Sequence, residues 1–511
     1  MRAPALSDLR LPGPPRAART AGRCIVVSER LPIVFTRDGG QGRWRVVPAG
    51  GALISALTPV LRERRGVWIG WPGVTAEEVP GLRRVLAGAI QEGGGFSLRP
   101  VLLNAQEKRL AYDGFARQIV WPLFHDLPLE CSCRPAHWQA YLKVNRKFAR
   151  AAAKTLARGA GGADLVWAQD PLLMQVAAEL RRLGAGCRTA FFLHLPFPAP
   201  DLFLKLPWRE RLLNGLLAFD QIGFQTERDL EHFLACVRAL AHPSIESPAG
   251  KALWTLVGRG NGGAFDLRAG AFPIGVDARQ IEERAAGPEV AARTAALGTA
   301  MRGRKLVIGV DRIDTATGIP EKLRAFAGAL TRYPELQERV TLVQVAIPGR
   351  ESLPRLAALR SDIERLVGEI NGLFGKPGWV PVHYLHRELE PEELLAYYRL
   401  ADVALVTPLK AGMHLAAKEY CAANLEARGA LVLSEFAGAA AQLAAGALLV
   451  NPFDTQGVAR TLRRALRMPE RERLARMRSL RREVRLHDVS WWAGSFLASA
   501  LAERTSQASI S

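Results

Sequence analysis

Residues 401–420, ADVALVTPLKAGMHLAAKEY, carry the clearest chemistry in the chain. Thr407, Pro408 and Gly412 break an apolar run, and a helical pattern opens at Leu415 and continues to Tyr420. The first turn of a helix leaves backbone N–H groups without intrahelical acceptors. Those near Leu415 and Ala416 make a site for a phosphate or pyrophosphate. Glu419 lies one turn in, where a carboxylate holds neutral hydroxyls, as on a ribose, through charge-assisted hydrogen bonds. The plain alternative is an ordinary turn with a solvated Lys418–Glu419 pair, and this stretch alone does not separate the two.

Further groups sit in the first half. Arg30 closes an apolar strand and has the fork geometry to pair with a phosphate bidentately. In Ala49-Gly50-Gly51-Ala52 the paired glycines let backbone N–H groups approach an anion closely, although such pairs are as often plain turns. Tyr112, Trp121 and Asp170 would add an aromatic wall and a hydroxyl-binding carboxylate; singly, they read equally as core aromatics and a helix-capping Asp. His194, inside FFLHLPFP, follows a hydrophobic strand, where a histidine is more often a satisfied core residue than a ligand-binding one.

These residues need strands to position them. Cys24–Ser28, Val67–Gly70, Leu165–Ala168 and Thr189–Leu193 read as buried strands, each followed by turn residues and a helical pattern. After Gly275 the rhythm restarts with Lys305–Val310, Val340–Ala346, Val382–Leu385, Val403–Val406, Leu431–Ser434 and Leu448–Val450. The pattern predicts an α/β protein of two doubly wound halves with a central cleft at the carboxyl ends of two parallel sheets. A length of 511 residues exceeds what one core holds, which agrees with two domains.

Composition narrows the class. No run of about 18 apolar residues occurs, so no membrane span is expected. The six cysteines lack zinc spacing, and a cytoplasmic location fits them best. The net charge of +20 invites a nucleic-acid partner, but only 11 of the 69 basic residues are lysine, and the excess of arginine with Ala, Leu and Gly looks like a coding bias. The arginines of 460–485 alternate with Leu462, Leu466, Met468, Leu474, Met477 and Leu480 at helical spacing, so they line solvated faces. Nucleic acid is not expected as a partner; attraction of anionic sugar phosphates is.

Whole phrases resemble the trehalose-6-phosphate synthase family, retaining nucleotide-sugar glucosyltransferases with two Rossmann-like domains. They include AGG at 49–51, WIGWPG at 68–73, WPLFH at 121–125, FFLHLPFP at 191–198, FPIGVD at 272–277, VDRID at 310–314, GMHLAAKEY at 412–420, LSEFAGAA at 433–440 and HDVSWW at 487–492. The resemblance covers residues 24 to 500 in order. It implies a GT-B type glycosyltransferase fold: a tail over 1–22, an acceptor domain over 23–285, a nucleotide-sugar domain over 286–470, and a helical segment over 471–505 returning to the first domain. It also implies glucosyl transfer from UDP-glucose, or another nucleotide glucose, as co-substrate to glucose 6-phosphate with retention at the anomeric carbon, with no other cofactor and no metal. A homo-oligomer is left open.

Carried over by position, Arg30 and Arg350 would hold the acceptor phosphate, and Tyr112, Trp121 and Asp170 the sugar. Gly50, Gly51, Leu389, Leu415, Ala416, Ala417, Lys418 and Glu419 would line the donor site. His194, at the glucose 6-hydroxyl, and Arg312, on the diphosphate, would stand closest to the chemistry. In this family the leaving phosphate is thought to take the acceptor's proton. The chain departs from the pattern in three places. Thr317 replaces the second diphosphate cation, a lysine; Ala411-Gly412-Met413-His414 replaces Asp-Gly-Met-Asn; and Gln169-Asp170-Pro171 keeps the Asp but loses the tyrosine beside it. The resemblance therefore leaves two alternatives beside the synthase: a weakly active or non-catalytic regulatory homologue that binds sugar phosphate, and a related synthase such as glucosylglycerol-phosphate synthase.

Overall fold

Short runs of Val, Ile, Leu and aromatic residues, buried on both faces, form the central strands, as parallel sheets covered on both sides require. The computed structural model describes residues 22–37, 44–90, 95–128, 131–158, 164–241, 243–246, 253–260, 263–301, 303–349 and 353–502. The tail expected over 1–22, apart from its last residue, and Arg350 lie outside the described residues. Among those described, no helix is long and apolar enough to cross a membrane.

The chain divides into one unit that ends at Phe272 and is rejoined from Ser490, and a second formed by Pro273–Val489. The first contains β1 (Cys24–Arg30), β2 (Ile33–Arg37), β3 (Trp44–Pro48), β4 (Val67–Trp71), β5 (Ser97–Pro100), β6 (Leu165–Gln169), β7 (Arg188–Phe192) and β8 (Gln221–Phe224). It continues with β9 (Ser244–Glu246), β10 (Leu253–Gly260) and β11 (Gly263–Ala271). Nine of these make one sheet in the order β5-β4-β1-β6-β7-β8-β11-β10-β9, while β2 and β3 pair separately. Strands β5 through β11 in that order run parallel, and β10 and β9 extend the sheet antiparallel. From β1 the chain winds outward through β4 and β5, then returns to the other side of β1 as β6. That reversal is a topological switch point.

The second unit repeats the device with β12 (Lys305–Arg312), β13 (Val340–Ile347), β14 (Val382–Leu385), β15 (Val403–Val406), β16 (Ala430–Ser434) and β17 (Leu448–Val450). All pairs are parallel, in the order β14-β13-β12-β15-β16-β17, so the switch falls between β12 and β15. Each unit has its own large core. In an open α/β sheet, ligands bind outside the carboxyl ends of the strands at the switch.

The boundaries differ from those expected at 285/286 and 470/471. The helix Ala278–Ala286 stays with the second unit because its Glu282 bonds Arg481 at 3.0 Å and Arg485 at 2.7 Å. Both arginines lie on the helix Glu470–Leu486, which buries Met477, Leu480 and Val484 in the same unit. At the crossings, the Val489 N–H donates to Val276 O at 3.1 Å, and a Cβ on Gly275 would lie 2.3 Å from His487 O. Only glycine permits that approach.

The last helix, Val489–Leu501, then packs on the first unit. Trp492 is fully buried, 5.5 Å from Trp167 and 5.0 Å edge-on to Phe192, while Phe496 stacks on Trp167 at 4.8 Å. Trp492→Ala removes this anchor from a closed core, and a loss of about 3–5 kcal/mol is expected. Urea unfolding followed by circular dichroism checks it through a lower midpoint than wild type.

Candidate active site

The switch point of the first unit gathers Arg30, Tyr112 and Asp170, three of the residues expected to bind an acceptor. Arg30 ends β1, exposed, with its guanidinium 5.6 Å over the Trp71 ring and Nη2 donating to Gly73 O at 3.3 Å. The pairing of β1 with β4 shifts register between Ser28 and Arg30, so Glu29 turns into the protein and is buried. Trp71 meets Tyr112 edge-on at 5.0 Å. Tyr112 is buried in a π-helix, Lys108–Val120, which also presents Arg117. Wide turns of this kind recur at functional sites.

Arg117 is the member of this cluster that the sequence reading omits. Its guanidinium pairs with Glu29 at 3.3 Å, donates to the Tyr112 hydroxyl at 3.4 Å and lies 5.3 Å over the Tyr112 ring. Burial works against its charge, but Glu29 and Tyr112 raise its pKa further. Asp170, half-buried, follows β6 at φ 72°, with its N–H donating to Phe192 O at 3.2 Å. Burial, then Glu29, pushes its carboxyl up to about 7, with Arg117 pulling the other way. It makes no side-chain cap to the short helical turn it precedes, so it is not a helix-capping Asp. Trp121 opens the next helical turn and stacks on His125 at 4.0 Å.

His194 stands just past β7. Its Nε2 lies 2.9 Å from Gln169 Oε1, and its Nδ1 lies 3.2 Å from Gln225 Nε2. This arrangement fits a neutral ring that donates to one amide and accepts from the other. Burial lowers its pKa to about 3, so the ring stays neutral at physiological pH. Both nitrogens are engaged, as in a satisfied core histidine, and a sugar hydroxyl would have to share or displace one amide. Gly50 and Gly51 precede the helix Ala52–Glu63; Gly51 has φ 122°, and a Cβ at either would meet nothing within 4 Å. An open backbone of that kind leaves room for a ligand.

In the second unit, Arg312 ends β12 and is exposed. Across the switch, β15 runs into a loop held against residues 436–439: the Ala411 N–H donates to Phe436 O at 3.2 Å, the Gly438 N–H to Ala411 O at 3.0 Å, and the Ala439 N–H to Met413 O at 2.9 Å. The loop ends at His414 in the left-handed region, φ 73°, and the helix Leu415–Ala423 follows. Leu415 and Ala416 are the first two helical residues, whereas the Ala417 N–H already donates to His414 O at 3.3 Å. Glu419 is half-buried, and the Tyr398 hydroxyl donates to it at 3.5 Å; burial raises its pKa, opposed by His414 and Tyr398.

Three further positions on the donor side take their state from the fold. Lys418 is no solvated partner of Glu419: its ammonium is buried and donates to Ile274 O at 2.6 Å and Gln442 Oε1 at 2.5 Å. Its side chain is spent on the fold, and burial lowers its pKa to about 7. Thr317 turns its hydroxyl back onto Asp314 O at 2.7 Å, so it stands in for no cation. Leu389 is buried in the segment before the helix Pro391–Leu400 and contributes apolar surface.

The profile of glycosyltransferase family 20 matches residues 22–502. The chain belongs to glycosyltransferase family 20. Trehalose-6-phosphate synthase of Mycolicibacterium paratuberculosis is 42% identical over 504 residues, covering 96% of this chain and 98% of that one. The protein of the same description from Mycobacterium tuberculosis is 41% identical over 475 residues, 93% of each chain. Among solved structures, an α,α-trehalose-phosphate synthase (UDP-forming) from Burkholderia xenovorans in complex with glucose 6-phosphate superimposes with TM-score 0.83 and 33% identity, over 94% of this chain and all of that one. An E. coli chain bound with UDP-2-fluoro glucose gives TM-score 0.82 and 32% identity, over 94% of this chain and 99% of that one.

The raised carboxyl of Asp170 yields a prediction about stability. A group whose folded pKa lies above its unfolded value, about 3.9 for Asp, costs stability as pH rises through that window. Wild type should therefore lose stability relative to Asp170→Asn between pH 4 and about pH 7. Thermal unfolding of both proteins at pH 5 and pH 8 checks it: the variant's advantage should be larger at pH 8.

Proposed function

We propose that this family 20 glycosyltransferase is an α,α-trehalose-phosphate synthase, moving glucose from UDP-glucose to glucose 6-phosphate with retention at the anomeric carbon. The observation that carries this reading is the end-to-end likeness to synthases at 41–42% identity. The placement of Arg30 and Asp170 at one switch point, and of Arg312 and the Leu415 helix start at the other, supports it. No cofactor beyond the co-substrate is invoked. Six free thiols suit a reducing compartment, and we place the enzyme in the cytoplasm.

The bond that breaks joins the anomeric carbon to a diphosphate oxygen; the bond that forms joins that carbon to an acceptor hydroxyl oxygen. The acceptor's proton ends on the leaving phosphate. As the bond opens, negative charge grows on the diphosphate, and donors fixed in advance stabilise it most. Arg312 and the N–H groups of Leu415 and Ala416 are those donors here. Glu419 receives the ribose hydroxyls. On the acceptor side, Arg30 binds the phosphate, and Tyr112, Trp121 and Asp170 seat the sugar. Asp170 accepts hydroxyl protons when ionised, so acceptor binding should strengthen as pH rises through about 7.

Purified protein given UDP-glucose and glucose 6-phosphate should release UDP and form a disaccharide phosphate only when both are present. Product without dependence on glucose 6-phosphate would count against the reading. Arg30→Ala should raise the KM for glucose 6-phosphate by one to two decades, the loss of a charged hydrogen bond of about 1.5–3 kcal/mol. Steady-state kinetics reads it, and an unchanged KM would remove Arg30 from the acceptor site. Thr317→Lys restores a diphosphate cation and should raise kcat by about tenfold, equivalent to ~1.36 kcal/mol of transition-state stabilisation. A single-turnover measurement of transfer separates this gain from product release.

A further inference from the structure

A buried charge chain leads to His414 from the strand beside it. Asp311, fully buried on β12, takes Lys322 and Gln344 on one oxygen: the Lys322 ammonium forms an ion pair with Oδ2, and Gln344 Nε2 donates to the same atom at 2.9 Å. Lys322 lies on the helix Ile319–Arg332 and is itself fully buried. The other oxygen, Oδ1, faces His414 Nε2 at 3.5 Å. Burial opposes the charge on Asp311, but Lys322 and His414 outweigh it and hold its carboxyl at about 2. The His414 side chain is 12% exposed, and its Nδ1 is buried without a hydrogen-bond partner among the described residues.

Buried polar atoms in folded proteins are nearly always paired, so an orphan nitrogen on the residue before the helix start leaves a place for a ligand atom. Asp311 Oδ1 makes no hydrogen bond among the described residues, and an anionic oxygen 3.5 Å opposite Nε2 favours the tautomer that carries its proton there. Nδ1 is then an acceptor in the neutral ring and a donor in the imidazolium. The residue precedes the helix start assigned to the diphosphate, and Thr317, at the position expected for the second cation, has no charge to offer. An anion there selects the donor form.

We propose that His414 is a proton-linked donor to the diphosphate, with Asp311, fixed by Lys322 and Gln344, as the residue that positions it. This deepens the donor-site reading and rests on it. When the nucleotide binds, one proton from solvent joins Nδ1; when it leaves, the proton returns. The groups around the ring support the exchange. β12 presents Asp311, the helix Ile319–Arg332 presents Lys322 through it, the helix Pro391–Leu400 presents the Tyr398 hydroxyl, and the helix Leu415–Ala423 presents Glu419. From the helix Glu470–Leu486, Glu483 acts on Lys418 instead. With Glu419 ionised, the ring has two carboxylates near it, Asp311 and Glu419, of which only Asp311 is paired with an ammonium, and an imidazolium balances the cluster. The histidine thus supplies charge when an anion is present.

The test is calorimetry of UDP binding to the whole protein in two buffers of different ionisation enthalpy, at pH values from 6 to 8. Wild type should take up a fraction of a proton per UDP near pH 7.5, and its affinity should rise by several-fold as pH falls to 6. His414→Asn suits the left-handed backbone, which Asn tolerates, and its thermal midpoint shows whether it folds. That variant should lose the proton uptake, bind UDP about tenfold more weakly and show a flat pH profile. UDP binding to wild type with no proton uptake across this range would overturn the proposal and leave the donor site standing, as would uptake that persists in His414→Asn. No binding of UDP to wild type at all would overturn the donor-site reading and this proposal together.

Discussion

Parallel strands covered on both faces leave little room for polar side chains along their length, and most of the charge in this protein's candidate site is placed by that constraint. Within β1, β6, β12 and β15 the buried positions are almost wholly apolar. Chemistry is therefore displaced to the carboxyl ends. Arg30 and Asp170 occupy two neighbouring ends in one unit, and Arg312 and the 407–414 loop two neighbouring ends in the other. The winding order makes those neighbours the switch point in each sheet, where the helices that follow leave in opposite directions and open space for a ligand.

The exceptions to the apolar rule are instructive. Asp311 sits inside β12 as a buried anion, and it is tolerated because Lys322 and Gln344 satisfy one oxygen. Breaking such a pair costs far more than the pair contributes, so its presence is weak evidence for stability and better evidence for a positioning role. Glu29 is the counterpart in β1, turned inward by a register shift and paired with Arg117. Each unit thus keeps one buried carboxylate beside its switch-point arginine, and each acts on a neighbour: burial and then Glu29 raise Asp170, and Asp311 faces His414.

Much of this was legible in the sequence. The apolar runs coincide with β1, β4, β6, β7 and all six strands of the second unit to within two residues, because continuous burial writes continuous hydrophobicity. Strand β8, QIGF, is too short and too polar to stand out, and β10 and β11 carry Gly and Arg on a face that is not fully covered. The π-helix around Tyr112 has the same residue pattern as an α-helix. Lys418 reads as solvated because sequence spacing shows a helical face but not the carbonyl and amide oxygens that meet it from distant segments. The contact of Gly275 with residue 487, which ties the first residues of the second unit to its last, joins segments over 200 residues apart and leaves no local pattern.

Hydrogen exchange read by mass spectrometry tests most directly the claim that the two switch points are the two substrate sites. UDP should protect backbone amides in 312–318 and 411–419, and glucose 6-phosphate should protect those in 28–31, 108–121 and 168–173. Protection by UDP confined to the first unit, or by either ligand away from both sets of strand ends, would contradict the account.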